Sequence, residues 1–216
     1  MEQGLKGRRV AILATDGVEQ VELEEPRKAL DEAGAVTHLI APEEGSIQAM
    51  NHDEKGARLP VDRVLADAHA SEYDALVLPG GVANPDKLRQ DLRAVQFVRE
   101  FMLADKPVAA ICHAAWMLVE ANAVAGRTLT SWPSLQTDVR NAGGDWVDES
   151  VRVDDKLITS RKPDDLPDFC AAIVKEFASA IETQARLDLV GEQSFPASDP
   201  PPSPTAIGGE GAAVTP

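Results

Sequence analysis

The stretch that decides the fold is Ala109–Met117, AAICHAAWM, in which a short apolar run ends at Cys112 and small residues follow at once. An apolar run without charge before the cysteine is typical of a strand that is covered on both faces of a parallel sheet. Ala110 and Ala114 lie two places either side of Cys112, where a sharp strand-to-helix turn needs small residues because it crowds the backbone. The stretch therefore predicts a nucleophile elbow with Cys112 at its tip.

Two interpretations of Cys112 stay open on these residues alone. In an elbow, the sulfur lies beside the first free N–H groups of a helix, and the helix dipole lowers the pKa of the thiol. An isolated cysteine in an apolar run is also commonly an inert core residue. The other cysteine, Cys170, lies in an amphipathic helical stretch without a polar neighbour, so we expect it to be a core residue.

Short apolar runs alternate with amphipathic stretches along the chain. The predicted strands are Val10–Ala14, Val36–Ala41, Ala75–Leu78 and Val108–Ile111; the predicted helices are 85–104 and one after Pro163, and an antiparallel edge hairpin is predicted within 146–161. Alternation of strand and helix implies right-handed crossovers, and hence a doubly wound α/β fold with a mainly parallel sheet sandwiched by helices. In such folds the chemistry lies at the carboxyl ends of the strands.

The composition divides the chain into a folded domain, residues 1–190, and a tail, residues 191–216. The tail contains six prolines, four glycines and no lysine or arginine, and it has no apolar periodicity. Such a segment cannot bury enough apolar surface to fold, so we predict that it is disordered.

The charge balance excludes several classes of partner. The 216 residues carry 36 acidic and 21 basic side chains, a formal net charge of -15. Nucleic acids and anionic membranes repel such a surface, so we expect neither as a partner. Two cysteines are too few for a disulfide framework and lack metal-ligand spacing, so we expect a reducing compartment and no metal or cofactor. Since no signal peptide or run of 18 apolar residues is present, we expect a cytoplasmic protein.

Polar and glycine residues follow two other predicted strands. Gly80 and Gly81 come directly after Ala75–Leu78, where they form either a tight turn or a place at which backbone N–H groups point toward an anion. Glu19 and Glu22 follow the first strand, three residues apart on one helix face. They are either solvated or close enough to the elbow for a desolvated carboxyl to donate a hydrogen bond to sulfur.

Six ordered blocks carry a resemblance across roughly residues 9–177. They read VAILATDGVEQVELEEP, YDALVLPGGVANPD, KPVAAICHAAWML, GRTLTSWPS, DVRNAGGDWVDE and LITSRKPDDLP. As a set they are similar to the PfpI family of the ThiJ/PfpI superfamily. The resemblance implies a flavodoxin-like α/β sandwich, a reactive cysteine in an elbow, and a homodimer or hexamer.

The resemblance also implies roles for individual residues. Cys112 matches the nucleophile, His113 its motif neighbour, and Glu22 the thiol-contacting glutamate, with Glu19 in reserve. Asp86 matches an acidic residue that a neighbouring subunit supplies, although the loop before it has one extra residue. The amides of Gly81 and His113 match the oxyanion donors, and Gly80 lies beside them. The family usually continues Cys-His with Gly-Pro, whereas this chain has Ala114 and Ala115 followed by Trp116, which predicts a changed pocket wall.

Three functions are compared on this basis. The resemblance implies a stress-protective, cysteine-dependent hydrolase or lyase that acts on reactive carbonyls, glycated protein or peptides, as a glyoxalase, deglycase or peptidase. The alternative is a non-catalytic redox sensor or chaperone that uses oxidation of Cys112. A class I glutamine amidotransferase is excluded, because its triad needs a histidine well downstream of the cysteine and none follows His113.

Overall fold

The structure, a computed structural model, describes residues 4–193, with side chains as far as residue 187. The strands are β1 (Arg9–Leu13), β2 (Val18–Glu19), β3 (Val36–Ala41), β4 (Ser46–Asn51), β5 (Glu54–Pro60), β6 (Arg63–Val64), β7 (Ala75–Leu78), β8 (Val108–Ile111), β9 (Thr128–Leu129), β10 (Asp145–Trp146), β11 (Val151–Asp154) and β12 (Leu157–Ser160). The helices are α1 (Gln20–Glu32), α2 (Ala83–Leu88), α3 (Leu92–Leu103), α4 (Ala115–Glu120), α5 (Gln136–Asn141) and α6 (Leu166–Gln193).

The main sheet has seven strands in the order β11-β12-β8-β7-β1-β3-β6. All neighbours are parallel except β11, which pairs antiparallel with β12 at the edge. The predicted edge hairpin is therefore confirmed, as are the four predicted strands to within one residue. The adjacent strands β7 and β8 bring Gly80 and Cys112 to the same edge of the sheet, because parallel neighbours end on the same side.

Helices cover both faces of the sheet. On β1, Val10 and Ile12 pack into the cluster that contains Leu23 of α1 and Phe169 of α6. Ala11, the residue between them, points to the opposite cluster, which contains the apolar residues of α3 and α4. Side chains of a strand alternate between faces, so a strand that is apolar throughout has to be buried on both. The flavodoxin-like sandwich predicted from the sequence is confirmed.

The predicted helix over 85–104 is wrong, because the chain forms two helices there. The helix α2 ends at Leu88, and α3 begins at Leu92 with Asp91 as its N-cap, whose carboxylate accepts the Arg93 N–H at 2.9 Å. Aspartate is among the preferred N-cap residues, so a new helix start competes with continuation of the first helix. Leu92, predicted on the apolar face, is 82% exposed.

The sequence patterns missed a three-stranded sheet in the order β2-β4-β5. Its long strand β5 is almost entirely exposed and rich in charge, so it lacks the apolar alternation by which strands are predicted. The turn between β4 and β5 reaches the carboxyl edge of the main sheet. At the other end of the chain, residues 191–193 of the predicted tail are the last residues of α6, and residues 194–216 lie outside the described residues.

Candidate active site

Cys112 lies at the tip of a strained turn between β8 and α4. Its φ is +62°, a left-handed value that only a few per cent of non-glycine residues adopt. Residues Cys112–Ala114 form a single 3₁₀ turn, after which α4 begins. Ala110 and Ala114, the small residues that such a turn needs two places either side of its tip, are both buried. The nucleophile elbow predicted from the sequence is therefore present.

The carboxyl group of Glu22 lies beside this turn and is completely buried. Its Oε2 accepts the Gly80 N–H at 2.9 Å, whereas Oε1 has no well-aligned hydrogen bond among the described residues. Burial raises the pKa of Glu22 to about 7, although hydrogen bonding with the Cys112 thiol and the Gly80 N–H partly opposes the rise. A carboxyl that keeps its proton near neutral pH can donate that proton to sulfur from Oε1.

The environment of the Cys112 thiol corrects one expectation. The pKa of Cys112 is raised, first by burial and then by the charge of Glu22, whereas the sequence predicts a lowered value. The backbone N–H groups of His113 and Gly81 act on the pKa of Cys112 in the predicted direction, but they do not outweigh burial. Because the thiol and the carboxyl are in contact, they titrate as a pair, and the first proton to leave belongs to both.

The imidazole of His113 lies on the other side of the sulfur. Its Nδ1 is 3.2 Å from Cys112 Sγ. The ring stacks on Trp132, with centroids 5.5 Å apart, and meets the edge of Trp116 at 5.3 Å. Burial lowers the pKa of His113, so the ring is a neutral base at pH 7.

Trp116 supports His113 from behind rather than forming a wall of the pocket. Its indole N–H donates to Asp138 Oδ2 at 2.8 Å, and the guanidinium of Arg89 lies 5.6 Å above its ring. These contacts hold the indole against His113, and Trp116 is not among the residues that line the cavity. The replacement of Gly-Pro after Cys-His therefore affects the support behind His113 and not the wall of the pocket.

A cavity of about 380 Å³ opens above Cys112. It is lined by Gly17, Glu19, Glu22, Met50, His52, Asp53, Gly81, Val82, Ala83, Cys112, His113, Trp132 and Pro163. Five predicted site residues thus meet in one place: Cys112, His113, Glu22, Glu19 and Gly81. A cavity of this size accommodates a small molecule or one side chain of a larger one.

Four other predicted residues do not line the cavity. Gly80 donates its N–H to Glu22, so that group is already occupied. Ala114 is fully buried in the core, Trp116 lies behind His113, and Asp86 is exposed on α2. A role of Asp86 in a neighbouring subunit stays a prediction.

Glu19, the reserve candidate, has a different neighbour from Glu22. It is 8% exposed, and its Oε2 accepts the His52 N–H at 3.1 Å. His52 has a φ of +55° at the turn between β4 and β5. Glu19 therefore holds this turn over the cavity, and Glu22 is the carboxyl group that contacts the thiol.

Comparison with known sequences decides the family. Residues 8–176 match the DJ-1/PfpI family. The chain belongs to the DJ-1/PfpI family. The resemblance to the PfpI family that the sequence blocks carried is thereby confirmed. The candidate active site of this DJ-1/PfpI protein is the elbow with its buried glutamate.

Relatives of this DJ-1/PfpI protein cover most of its length. It is 43% identical over 164 residues to General stress protein 18 of Bacillus subtilis, which covers 76% of this chain and 94% of the relative. It is 42% identical over 174 residues to an uncharacterized protein of Staphylococcus epidermidis, covering 78% of this chain and 97% of the relative. A bacterial stress protein is therefore among its relatives.

Solved structures confirm the fold. DJ-1beta of Drosophila melanogaster has a TM-score of 0.73 and 26% identity, and covers 85% of this chain and 98% of its own. A two-domain protein of Anabaena variabilis, with DJ-1/ThiJ/PfpI-like and ferritin-like domains, has a TM-score of 0.73 and 36% identity over 78% of this chain. The DJ-1/PfpI chain spans about half of that two-domain protein, 49% of its length.

Within residues 4–193, no group of three or more histidine, cysteine, aspartate or glutamate residues has an arrangement that suits a metal ion. Among the described helices, none is both long enough and apolar enough to cross a membrane. Cys170 lies on α6 away from the elbow, and burial raises its pKa to about 11.

The sequence analysis missed several cavity residues, chiefly Trp132, His52 and Asp53. Trp132 had one signal, a large aromatic residue in the block GRTLTSWPS between serine and proline. His52 and Asp53 had none, because the polar segment around them resembles any surface loop. Their place follows from the pairing of β4 with β2, which brings the turn beside Glu19.

Two glycines let the loop after β7 approach the elbow. A side chain on Gly81, whose φ is +79°, would overlap the Gly17 carbonyl oxygen. A Cβ on Gly80 would lie 2.5 Å from Glu22 Oε2 and 2.8 Å from Cys112 Cβ, which is closer than real Cβ atoms come. The pair is therefore needed for contact between the loop, the carboxyl and the thiol.

Gly80→Ala is expected to lower the free energy of unfolding by about 1–3 kcal/mol, the usual cost of overpacking, and to slow alkylation of Cys112. Urea unfolding and iodoacetamide labelling measure the two effects. Gly45→Ala is the matched control, because a Cβ there has open space around it and only the φ of +96° is unfavourable. A Gly80→Ala variant with wild-type stability and wild-type labelling would contradict the close approach.

Proposed function

We propose that the protein is a cytoplasmic, stress-protective enzyme that uses the Cys112 sulfur to act on small reactive carbonyls or their adducts on protein. One observation carries the proposal. The sulfur sits on a strained elbow at the floor of a 380 Å³ cavity, in contact with a carboxyl group whose pKa is about 7. Strain and a raised carboxyl pKa at the same cavity are typical of reaction centres.

The first step is addition of sulfur to the carbonyl carbon. The C–S bond forms as the C=O electron pair moves to oxygen, where the N–H groups of Gly81 and His113 stabilise the negative charge. Both N–H groups already act on the Cys112 sulfur, so they lie within reach of an atom bonded to it. The reacting state is the singly ionised pair: the thiol has lost its proton to solvent, and Glu22 holds the remaining proton and donates it to the new oxygen.

The adduct of an α-oxoaldehyde can then rearrange without any oxidant. The neutral His113 imidazole, whose Nδ1 is 3.2 Å from Sγ, takes the proton from the carbon that bears sulfur. That proton returns to the neighbouring carbon, and Glu22 passes the hydroxyl proton of the sulfur-bearing carbon to the neighbouring oxygen, which gives a thioester. Water then hydrolyses the thioester to a 2-hydroxy acid and free Cys112. The net reaction adds one water to the α-oxoaldehyde. Hydrolysis of a glycated amine or of a peptide would use the same groups.

The relative named General stress protein 18 supports a role in stress. A peptidase is the weaker form of the proposal, because His113 makes no hydrogen bond or ion pair with an acidic group among the residues that the structure describes. Asp86 would supply that group from a neighbouring subunit of a homodimer or hexamer. The single-chain cavity therefore favours a small carbonyl substrate.

The test is turnover of methylglyoxal by the purified full chain, with lactate as product. We expect iodoacetamide to abolish turnover in proportion to the labelling of Cys112, measured by mass spectrometry, while Cys170 stays unlabelled at pH 7. The pKa of both thiols is raised by burial, so the expected order rests on Glu22: the pair formed by its carboxyl and the Cys112 thiol loses its first proton near pH 7, whereas no hydrogen bond joins Cys170 to a carboxyl group among the described residues. Equal labelling of both cysteines, or no cysteine-dependent turnover of carbonyl, glycated or peptide substrates, would overturn the proposal.

The unpartnered Oε1 of Glu22 favours a second candidate, a redox sensor or chaperone. Oxidation of Cys112 to a sulfinate would give this carboxyl an oxygen to which it donates its proton, and the Gly81 and His113 N–H groups would face the other oxygen. If the sensor is the function, peroxide converts Cys112 to a stable sulfinate and Cys112→Ala has no effect on any turnover.

A further inference from the structure

The walls of the cavity above Cys112 are acidic. Glu19, Glu22 and Asp53 line it, and no lysine or arginine does so within the part of the chain that the structure describes. Burial raises the pKa of Glu22 to about 7, so this carboxyl group is only partly ionised at pH 7. Glu19 accepts hydrogen bonds only from the His52 N–H, and Asp53 makes no hydrogen bond or ion pair in the described part of the chain.

The cations on the bordering elements are occupied elsewhere. Arg89 pairs with Glu120 at 3.0 Å, and Lys87 donates to the Asp16 carbonyl oxygen at 3.2 Å. Next to Pro163, Arg161 binds Asp148 and Asp165, and Lys162 pairs with Asp164. Lys87 and Lys55, the latter exposed on β5 two residues from Asp53, keep their charges nearby, but among the described residues no lysine or arginine lines the cavity or forms an ion pair with Glu19 or Asp53.

The remaining wall is apolar and aromatic. Trp132 is 36% exposed and Val82 58%, and Met50 and Pro163 complete this side. Such a surface favours a hydrocarbon substituent, and the face of an indole also attracts a cation. Among these four side chains the neutral indole N–H of Trp132 is the only hydrogen-bond donor, and none of them carries a positive charge.

We propose that this cavity selects compounds by their charge. Uncharged and cationic compounds reach Cys112, carboxylate-bearing compounds are excluded, and Asp53 is the residue that determines this selection. Where the compounds are substrates, the proposal rests on the proposed carbonyl chemistry. The N–H groups of Gly81 and His113 stabilise one negative charge, the oxyanion. A second charge, as in an α-oxo carboxylate, meets the buried Glu19 and, on the exposed side of the cavity, Asp53; a cleft lined by charges of one sign raises the local field.

The test that needs no turnover uses two methanethiosulfonate reagents, one bearing a trimethylammonium group and one a sulfonate. The Cys112 sulfur attacks the sulfenyl sulfur, a mixed disulfide forms and methanesulfinate leaves. Cys170→Ser is the background, so that only Cys112 reacts. The gain is the ratio of the rate constants for the cationic and the anionic reagent at Cys112, divided by the same ratio for a free thiol. We expect a gain of at least about tenfold at low salt, and a smaller gain at high salt because salt screens the charges.

Asp53→Asn is expected to reduce this gain by about threefold or more, and Asp53→Lys to reverse it. Glu54→Gln is the matched control: it removes the same charge one residue away, outside the cavity lining, and is expected to leave the gain within the error of the wild-type value. Circular dichroism shows that each variant is folded.

The second arm compares turnover of methylglyoxal with that of 4,5-dioxopentanoate, an α-oxoaldehyde that can undergo the same rearrangement and carries a carboxylate at the far end of its chain. We expect kcat/KM to favour methylglyoxal, and Asp53→Lys to shift the ratio toward the carboxylate-bearing substrate by about tenfold. If the two thiosulfonates react in the ratio found for a free thiol, charge selection is overturned whatever the turnover. If the ratio is as expected but no carbonyl is consumed, selection stands and the proposed carbonyl chemistry fails.

Discussion

Replacing Cys112 with serine is expected to lower kcat/KM for methylglyoxal by about 10⁴-fold or more, the range found when an enzyme loses its nucleophile. A serine hydroxyl at this position keeps the elbow and the cavity but not a readily ionised sulfur. Neither the Gly81 and His113 N–H groups nor the Glu22 carboxyl can add to a carbonyl carbon themselves. They stabilise only what the nucleophile forms, so little turnover remains without it.

Cys170→Ser is the matched control for this variant. Cys170 lies on α6 in a groove with Glu25 and Lys28, and does not line the cavity above Cys112. We expect kcat/KM to stay within about twofold of wild type, because Cys170 lies outside the cavity and takes no part in the proposed chemistry. Initial rates and circular dichroism are measured for both. A Cys112→Ser variant that keeps more than about one per cent of the activity would contradict nucleophilic catalysis.

The fold could be predicted because its central strands are buried on both faces. Apolar runs such as Val108–Ile111 have few alternatives once small residues and a turn follow. The helix over 85–104 could not be divided correctly, because Asp91 fits both a solvated helix face and a helix cap. Whether Asp91 caps a new helix depends on how the helices pack against α4, and the apolar periodicity of the sequence does not contain that information.

The candidate site was predictable only where chemistry follows a strand end. Glu19 and Glu22 share a helix face in the sequence, so nothing in their spacing separates them. In the structure Glu19 is the last residue of β2 and faces the hairpin turn, whereas Glu22 lies in the first turn of α1 and faces the elbow. Trp132 and Asp53 come from distant loops, and only tertiary structure brings them together. The direction of the Cys112 pKa shift also depends on how deeply the site is buried, and a sequence motif does not contain that information.

Replacing Glu22 with glutamine is expected to abolish a pH-dependent step near pH 7 in the reactivity of Cys112. In the wild type, the pair formed by the carboxyl and the thiol loses its first proton near the Glu22 pKa of about 7, and part of that loss exposes thiolate. In Glu22→Gln the thiol titrates alone, with its pKa still raised by burial but no longer by the charge of Glu22. The reactivity of the variant is therefore expected to rise smoothly with pH and, above pH 7, to exceed that of the wild type, in which the ionised carboxyl group opposes thiolate formation.

The measurement is the second-order rate of iodoacetamide labelling of Cys112 from pH 5 to 9. Glu19→Gln is the matched control, because it removes a carboxylate from the same cavity without touching the thiol, and we expect it to keep the step. If Glu19→Gln loses the step and Glu22→Gln keeps it, the two assignments have to be exchanged.

The raised pKa of Glu22 also makes the free energy of unfolding depend on pH. The folded-state pKa of Glu22, about 7, lies above its ordinary value of 4.5, so between these values the folded protein holds a proton that the unfolded chain has lost. Stability therefore falls as pH rises through this window, by about 3 kcal/mol in all. Glu22→Gln has no proton to lose. Its free energy of unfolding in urea, relative to wild type, is expected to rise by that amount between pH 4.5 and 8, whereas Glu19→Gln shows no such rise. Parallel pH profiles for wild type and Glu22→Gln would mean that Glu22 is ionised in the folded protein at all these pH values, and that it cannot be the proton donor to the sulfur or to its adduct.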